Sequence, residues 1–483
     1  MKIYILLLFL CFCTVNSYSL QFGTVNLGHQ TGKKAIKEWK EKNPQSQQPQ
    51  PQDDPRLYWI SEKMDGFIYW PSIAISGDTI YVGTSGWDNR PPGVDYTNAV
   101  YSLDKHTGKI KARYLLSDDE LVKGAIVIGK SGCIYFMVIE MTGYNEGYGK
   151  TYLYSLNQDL QLRWKKEVSL TQPNFWGQAS PAVDSQENLY INVCVSTSIP
   201  PIYAIISYDF YGNERWRHEF RGLGGGVVWP TPVVASGIVF ANTCNGIYAL
   251  TTSTGGVLWY IQHADGDIVS PVITDNTLYV IAGLFGKRLL AYTLNGELKW
   301  EMNTYAKTLA QPVIGEDGTI YFGTTAKEID RNVYPDKIAG FFWAINPSTG
   351  GAKWMFDIDE YMYDEYDKKY KSSDIYAPAV VGKDGTIYFT TEYRYIFALN
   401  PDGKLKEKYD LMKMARGWPG GTVTYSALVI DENGVLYKAD SNRDPVLKRD
   451  VARVIAIKTQ SYGLANSPWP KGYRNYSNTN AQE

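Results

Sequence analysis

Cysteine, histidine and unbalanced charge are all scarce in this chain, and each shortage removes a class of explanation. There are five cysteines in 483 residues. Cys11 and Cys13 lie in an apolar N-terminal segment, which leaves Cys133, Cys194 and Cys244, an odd number with no CxxC pair. A disulfide-stapled scaffold is excluded on numbers alone. The four histidines, His29, His106, His218 and His263, are scattered and form no zinc-ligand spacing, which argues against a histidine-built zinc site. Lysine and arginine total 48 against 50 acidic residues, a balance that points away from nucleic acid as a partner. Only one long apolar run exists, Ile3 to Phe12, behind Lys2 and ahead of small and polar residues through Ser19. That pattern predicts a secretory signal peptide over residues 1–19, cleaved after Ser17 or Ser19 and too short to span a bilayer. Neither cysteine in it follows a small residue as a bacterial lipid anchor requires. The expected compartment is therefore extracytoplasmic: a secretory lumen, the periplasm or the extracellular space, with no membrane span after cleavage.

What the chain has in quantity is tyrosine, 38 residues, with 14 tryptophans and 44 glycines. Aromatic and glycine-rich composition without long helical periodicity predicts an all-β chain. Residues 20–55 read as a polar spacer ending in QSQQPQPQDDP (45–55), with a short helix expected over KKAIKEWKEK (33–42).

One phrase recurs: an apolar strand, a tight turn, then a strand centred on an aromatic residue. It appears as GDTIYVGT (77–84), SGCIYFMV (131–138), QENLYINV (186–193), SGIVFANT (236–243), DNTLYVIA (275–282), DGTIYFGT (317–324), DGTIYFTT (384–391) and NGVLYKAD (433–440). The central aromatics are Tyr81, Tyr135, Tyr190, Phe240, Tyr279, Tyr321, Tyr388 and Tyr437. A strand often opened by proline precedes each copy, as in SPAV (180–183) and TPVV (231–234), and proline at the first residue of an innermost strand removes no needed donor. A third strand such as IYAL (247–250) follows, then a glycine turn and a fourth strand such as TGGVLW (254–259). Four antiparallel strands cannot bury both faces alone, and repetition about every 40 to 50 residues lets neighbours cover them. The predicted fold is an eight-bladed β-propeller of four-stranded antiparallel blades over residues 56–462, with a C-terminal tail over 463–483. The eighth copy lacks its fourth strand. LYWIS (57–61) carries Trp59, twelve residues before Pro71, the spacing seen from Trp259 to Pro271 and from Trp300 to Pro312. An N-terminal strand is therefore expected to close the ring and remove the loose edge.

These repeats resemble the PQQ-like (quinoprotein alcohol dehydrogenase-like) β-propeller repeat, whose mark is a turn glycine followed four residues later by tryptophan. It is seen in INPSTGGAKW (345–354), LTTSTGGVLW (250–259), YTLNGELKW (292–300) and YDFYGNERW (208–216), and in SLNQDLQLRW (155–164) without the glycine. The resemblance covers about residues 57–462. It implies that Trp59, Trp164, Trp216, Trp259, Trp300 and Trp354 dock blade on blade, while Ala112 and Glu407 stand where tryptophan is expected. The tail SPWPKGYRNYSNTN (467–480) resembles segments that often flank such repeats. Some members of the family are dehydrogenases holding pyrroloquinoline quinone and Ca²⁺; others have lost the cofactor and act as binding scaffolds.

Strand parity places the loops after strands two and four on one face of the ring and those after strands one and three on the other. The second set is short throughout. Nearly all insertions belong to the first, including 86–98, 141–150, 171–177, 221–229, 327–337, 357–374 and 412–421. One elaborated face on a rigid scaffold suits binding. Its candidate residues are Trp87, Asp88, Trp176, Trp229, Tyr361, Asp364, Glu365, Asp367, Arg416 and Trp418. For any one aromatic the plainer role is packing its loop onto the blades. Gly224 to Gly226 lacks the lysine and helix of a phosphate cradle. The family's enzymes often place an adjacent cysteine pair on the quinone; this chain has none, and no Ca²⁺ ligand set matches. The expected function is a non-catalytic scaffold for a protein or peptide partner, with no cofactor and no metal. The alternatives are a carbohydrate-binding propeller and a PQQ/Ca²⁺-dependent alcohol or sugar dehydrogenase. Asn475 heads the only N-x-S/T sequon, in a tail expected to be exposed. Cys194 and Cys244 share one position in adjacent blades, yet are expected to stay free and buried, because packed sheets lie about 10 Å apart and a disulfide needs Cα atoms within about 7 Å.

Overall fold

The computed structural model describes residues 54–482, except 69–71, 86–97, 118, 142–148, 172–179, 197, 199, 223–229, 244, 264–268, 275, 283–285, 326–339, 365–368, 371–373, 393, 416–425 and 444–449. The expected signal peptide, the expected spacer up to residue 53 and the expected helix at 33–42 lie outside the described residues, as does Cys244. Eight four-stranded antiparallel sheets account for nearly all secondary structure. In each, the central aromatic of the repeated phrase pairs with the same position of the innermost strand. Ala74 faces Tyr81, Ala182 faces Tyr190, Val233 faces Phe240, Val272 faces Tyr279 and Val429 faces Tyr437. The inner strands are buried on both faces, as at Leu189–Ser196, because a neighbouring blade covers each side. Outer strands alternate between exposed and half-buried, as at Val257–Gln262.

Leu57–Ile60 pairs antiparallel with Asp450–Lys458 and completes blade eight as its outermost strand. The ring is thus closed by both ends of the propeller chain.

Six of the eight seams between blades share one device. The indole N–H of the docking tryptophan donates to a carbonyl in the next blade's turn between strands three and four. Trp59 reaches Lys105, Trp164 reaches Phe210, Trp216 reaches Thr252, Trp259 reaches Leu294, Trp300 reaches Pro347 and Trp354 reaches Pro401, at 2.8 to 3.1 Å. The ring lies flat on that turn's glycine. A Cβ at Gly255 would meet Trp216 at 2.4 Å, and one at Gly350 would meet Trp300 at 2.6 Å. Both glycines also have φ near +70°, so two independent constraints select glycine there.

The two blades without tryptophan are the two whose next neighbour offers no such glycine. Beyond Ala112 the turn position belongs to Leu160, at φ 59° and buried, which fills the space against the half-buried Ala112. Beyond Glu407 lies blade eight, whose third and fourth strands come from opposite ends of the chain and share no turn. There Glu407 pairs with Arg56, the residue just before the closing strand, and accepts from the Tyr409 hydroxyl at 2.6 Å.

Cys133 and Cys194 are buried free thiols. Burial pushes the Cys194 thiol up, and it donates to the Ser196 carbonyl at 3.3 Å.

Candidate functional site

The axis of the ring is built from the prolines' neighbours. The hydroxyls of Ser72, Ser180, Thr231 and Ser270 each accept a backbone N–H from the preceding blade, from Ala427, Ala125, Ser180 and Thr231 respectively, at 2.6 to 3.2 Å. Gln311 continues the girdle by donating to the Pro271 carbonyl at 3.0 Å.

The C-terminal tail lies across this axis, and the expectation that it is exposed is corrected. Trp469, Lys471, Asn478 and Asn480 are fully buried. The tail follows the ring from the inside, its carbonyls accepting backbone N–H groups from one innermost strand after another. Ile314 donates to Trp469, Val381 to Pro470, Ile75 to Tyr476, Ile128 to Ser477, Val183 to Thr479 and Val234 to Asn480, at 2.7 to 3.0 Å. Ala481–Gln482 then adds to blade four as a short parallel strand. All these contacts fall where the innermost strands end, so the tail closes the axis at the short-loop face. The Tyr473 ring packs against Ala125 and Ala427, and its hydroxyl reaches Ser72 and Ser180 within the girdle. Lys471 donates to the carbonyls of Gly472 (2.6 Å) and Asn475 (3.1 Å) and to Asn478 Oδ1 (2.6 Å), and burial pulls its ammonium down to about 7. Asn475, the sequon residue, is half-buried; its side-chain nitrogen donates to Thr479 Oγ1 at 2.8 Å.

The elaborated face is described only in part. Trp87, Asp88, Trp176, Trp229, Glu365, Asp367, Arg416 and Trp418 lie outside the described residues. Asp364 belongs to a two-residue strand paired with Lys369–Tyr370. Tyr361 stacks on Phe356 at 5.0 Å and meets Phe397 edge-on at 6.1 Å, which is the plainer role of holding a loop onto its blade.

A cavity of about 300 Å³ that the sequence did not reveal lies between the outer strand of blade seven and the approach to the closing strand. Asp54, Arg56, Tyr363, Arg394, Tyr395, Lys408, Asp410, Lys413 and Met414 line it. Four cations face two carboxylates. Arg394 pairs with Asp410 at 3.1 Å, and the Lys408 ammonium sits 3.7 Å above the Tyr395 ring. Arg56 beside Asp54 holds that carboxyl below its ordinary range. The one signal in the sequence was Glu407 in a tryptophan's place. Among the described residues no group of three or more His, Cys, Asp or Glu side chains could hold a metal ion.

The family profile described as "Outer membrane protein assembly factor BamB" matches residues 204–399, blades three to seven. Among solved structures the chain resembles BamB from Moraxella catarrhalis, with 16% identity and a TM-score of 0.53 over 83% of this chain and 97% of that one. It also resembles the quinohemoprotein alcohol dehydrogenase of Comamonas testosteroni, with 11% identity and a TM-score of 0.50 over 86% and 78%. Both likenesses concern the fold. No curated protein matches the sequence.

Proposed function

We propose that this β-propeller of PQQ-like repeats is an extracytoplasmic, non-catalytic scaffold that recognises a protein or peptide partner through its elaborated face. The carrying observation is the asymmetry of the ring. One face has uniformly short loops and is sealed by the chain's own tail, whose backbone carbonyls accept hydrogen bonds from six innermost strands. A partner engaging the axis would come from the other face, to which strand parity assigns the insertions with their aromatic and acidic residues. The match to an assembly-factor profile supports a partner that is itself a polypeptide.

Photo-crosslinking amino acids at Trp87, Trp176 and Trp418 should capture a polypeptide in the native compartment, and the same groups at Ser348 and Asn433 on the short-loop face should not. Equal capture from both faces, or none from the first, sinks the proposal. Adding pyrroloquinoline quinone and Ca²⁺ should produce no dye-linked alcohol oxidation; turnover would favour the dehydrogenase alternative, and binding on a glycan array the carbohydrate one.

A further inference from the structure

Blade four differs from its seven siblings in a way that no fold requirement explains. From Gly222 to Ala264, 43 residues contain no Asp, Glu, Lys or Arg, in a chain that is 20% charged. Roughly nine would be expected at that frequency. Its outer strand, Val257–Gln262, reads VLWYIQ and carries no charge. The outer strands of the other blades carry two charges at Ile110–Leu115, four at Leu162–Thr171, five at Glu214–Arg221, two at Leu298–Asn303, two at Ala352–Asp357 and four at Leu405–Asp410. The closing strand is uncharged over four residues but follows Arg56, which anchors it.

Charges on edge strands keep other strands from pairing with them. The edge of Val257–Gln262 has lost that protection. Among the described residues it pairs only on its inner side, with Gly246–Thr251. Val257, Leu258 and Tyr260 are all more than a third exposed. Behind the edge an aromatic column leads into the groove between blades three and four. Tyr260 stacks on Tyr248 at 4.3 Å, Tyr248 meets Phe220 at 5.3 Å, and Phe220 stacks on Tyr203 at 5.7 Å. A row of backbone donors and acceptors calls for an extended chain, and apolar surface alongside calls for alternating apolar side chains.

We propose that the outer edge of blade four is a docking site for an extended, uncharged strand of a partner polypeptide, which adds to the sheet as a further strand. A second copy of this chain is the poorer occupant. Six residues make an edge about 20 Å long. Two convex rims touching along it bury well short of the roughly 800 Å² per partner that a stable dimer needs. A single strand has no convex body to keep away and can wrap the edge. This site lies on the rim and does not depend on the elaborated face.

The probe is a fluorescently labelled peptide of alternating threonine and valine, eight residues long, beside a counterpart N-methylated at every second residue. Full-length protein should bind the first at micromolar concentrations and the second at least tenfold more weakly. Leu258→Lys with Tyr260→Glu should weaken binding of the first at least tenfold, and Lys299→Glu on the next blade's outer strand should leave it unchanged. Unaltered melting temperatures keep folding out of the comparison. Hydrogen exchange at 257–262 should slow on addition of the peptide. Equal binding of both peptides, no binding of either, or indifference to the blade-four charges overturns the proposal. Concentration-dependent dimerisation abolished by the same charges overturns the choice of occupant.

Discussion

Two kinds of seam hold this ring together, and they fail differently. Six seams press a tryptophan onto a glycine turn and add one neutral hydrogen bond. The other two replace that pair, one with an alanine against a leucine and one with a carboxylate against an arginine. In each case the tryptophan is missing where the facing turn cannot receive it. A seam is thus a property of two adjoining blades, and a departure in one repeat has its cause in the next.

The largest effect should come from opening the ring at the seam that both chain ends make. Removing residues 1–53 should leave the melting temperature unchanged, and removing 1–62 should lower it by 10 °C or more. The longer cut deletes Leu57–Ile60 and the docked, half-buried Trp59, and losing that large side chain alone costs about 3 kcal/mol. Equal melting temperatures would break the idea that closure matters. Next comes Gly350→Ala, which sets a methyl against Trp300 at a φ of +72°. Left-handed strain and overpacking together should cost about 2–4 kcal/mol in denaturant unfolding.

Interconversion sharpens the comparison. Ala112→Trp alone should destabilise by about 1–3 kcal/mol, because Leu160 already fills the space. Adding Leu160→Gly should recover at least about 1 kcal/mol of that, a coupling read from a double-mutant cycle. Purely additive losses would show that the two positions do not form one seam. Glu407→Gln should cost about 0.5 kcal/mol, since both it and Arg56 are about a third exposed (36% each). The smallest effect is in pH. Asp54 is held below its ordinary carboxyl range by Arg56, so its contribution is present above about pH 4 and is lost as pH falls through the lowered value. Asp54→Asn should flatten the acid limb of the stability profile slightly, and Trp354→Phe should leave its shape alone.

The eight blades were legible because each is a local pattern repeated. The register that sets Tyr81 against Ala74 recurs at Tyr190 and Tyr437 with no long-range information. The spacing that points to the closing strand is offset by two residues. Ile73, not Pro71, stands in the place of Pro271, one residue before Ala74 as Pro271 is before Val272. Trp59 and its docking turn, rather than loop length, fix that strand. Tyr361 packs on Phe356 and Phe397 within its own loop, and the cationic cavity is invisible in the sequence because Arg56, Arg394 and Lys408 are far apart in the chain.

Fold class, blade number and ring closure were thus determined by the sequence alone, since every repeat states them again within some fifty residues. The course of the tail was decided only by tertiary structure. It has no repeat of its own, and its hydrogen bonds go to Ile75, Ile128, Val183, Val234, Ile314 and Val381, six strands from six blades. These donors line one axis only after the ring has closed. The neutrality of blade four was written in the sequence from the start, but it became a statement about binding only when Val257–Gln262 proved to be an exposed edge, because uncharged residues mean one thing inside a core and another at the rim of a sheet.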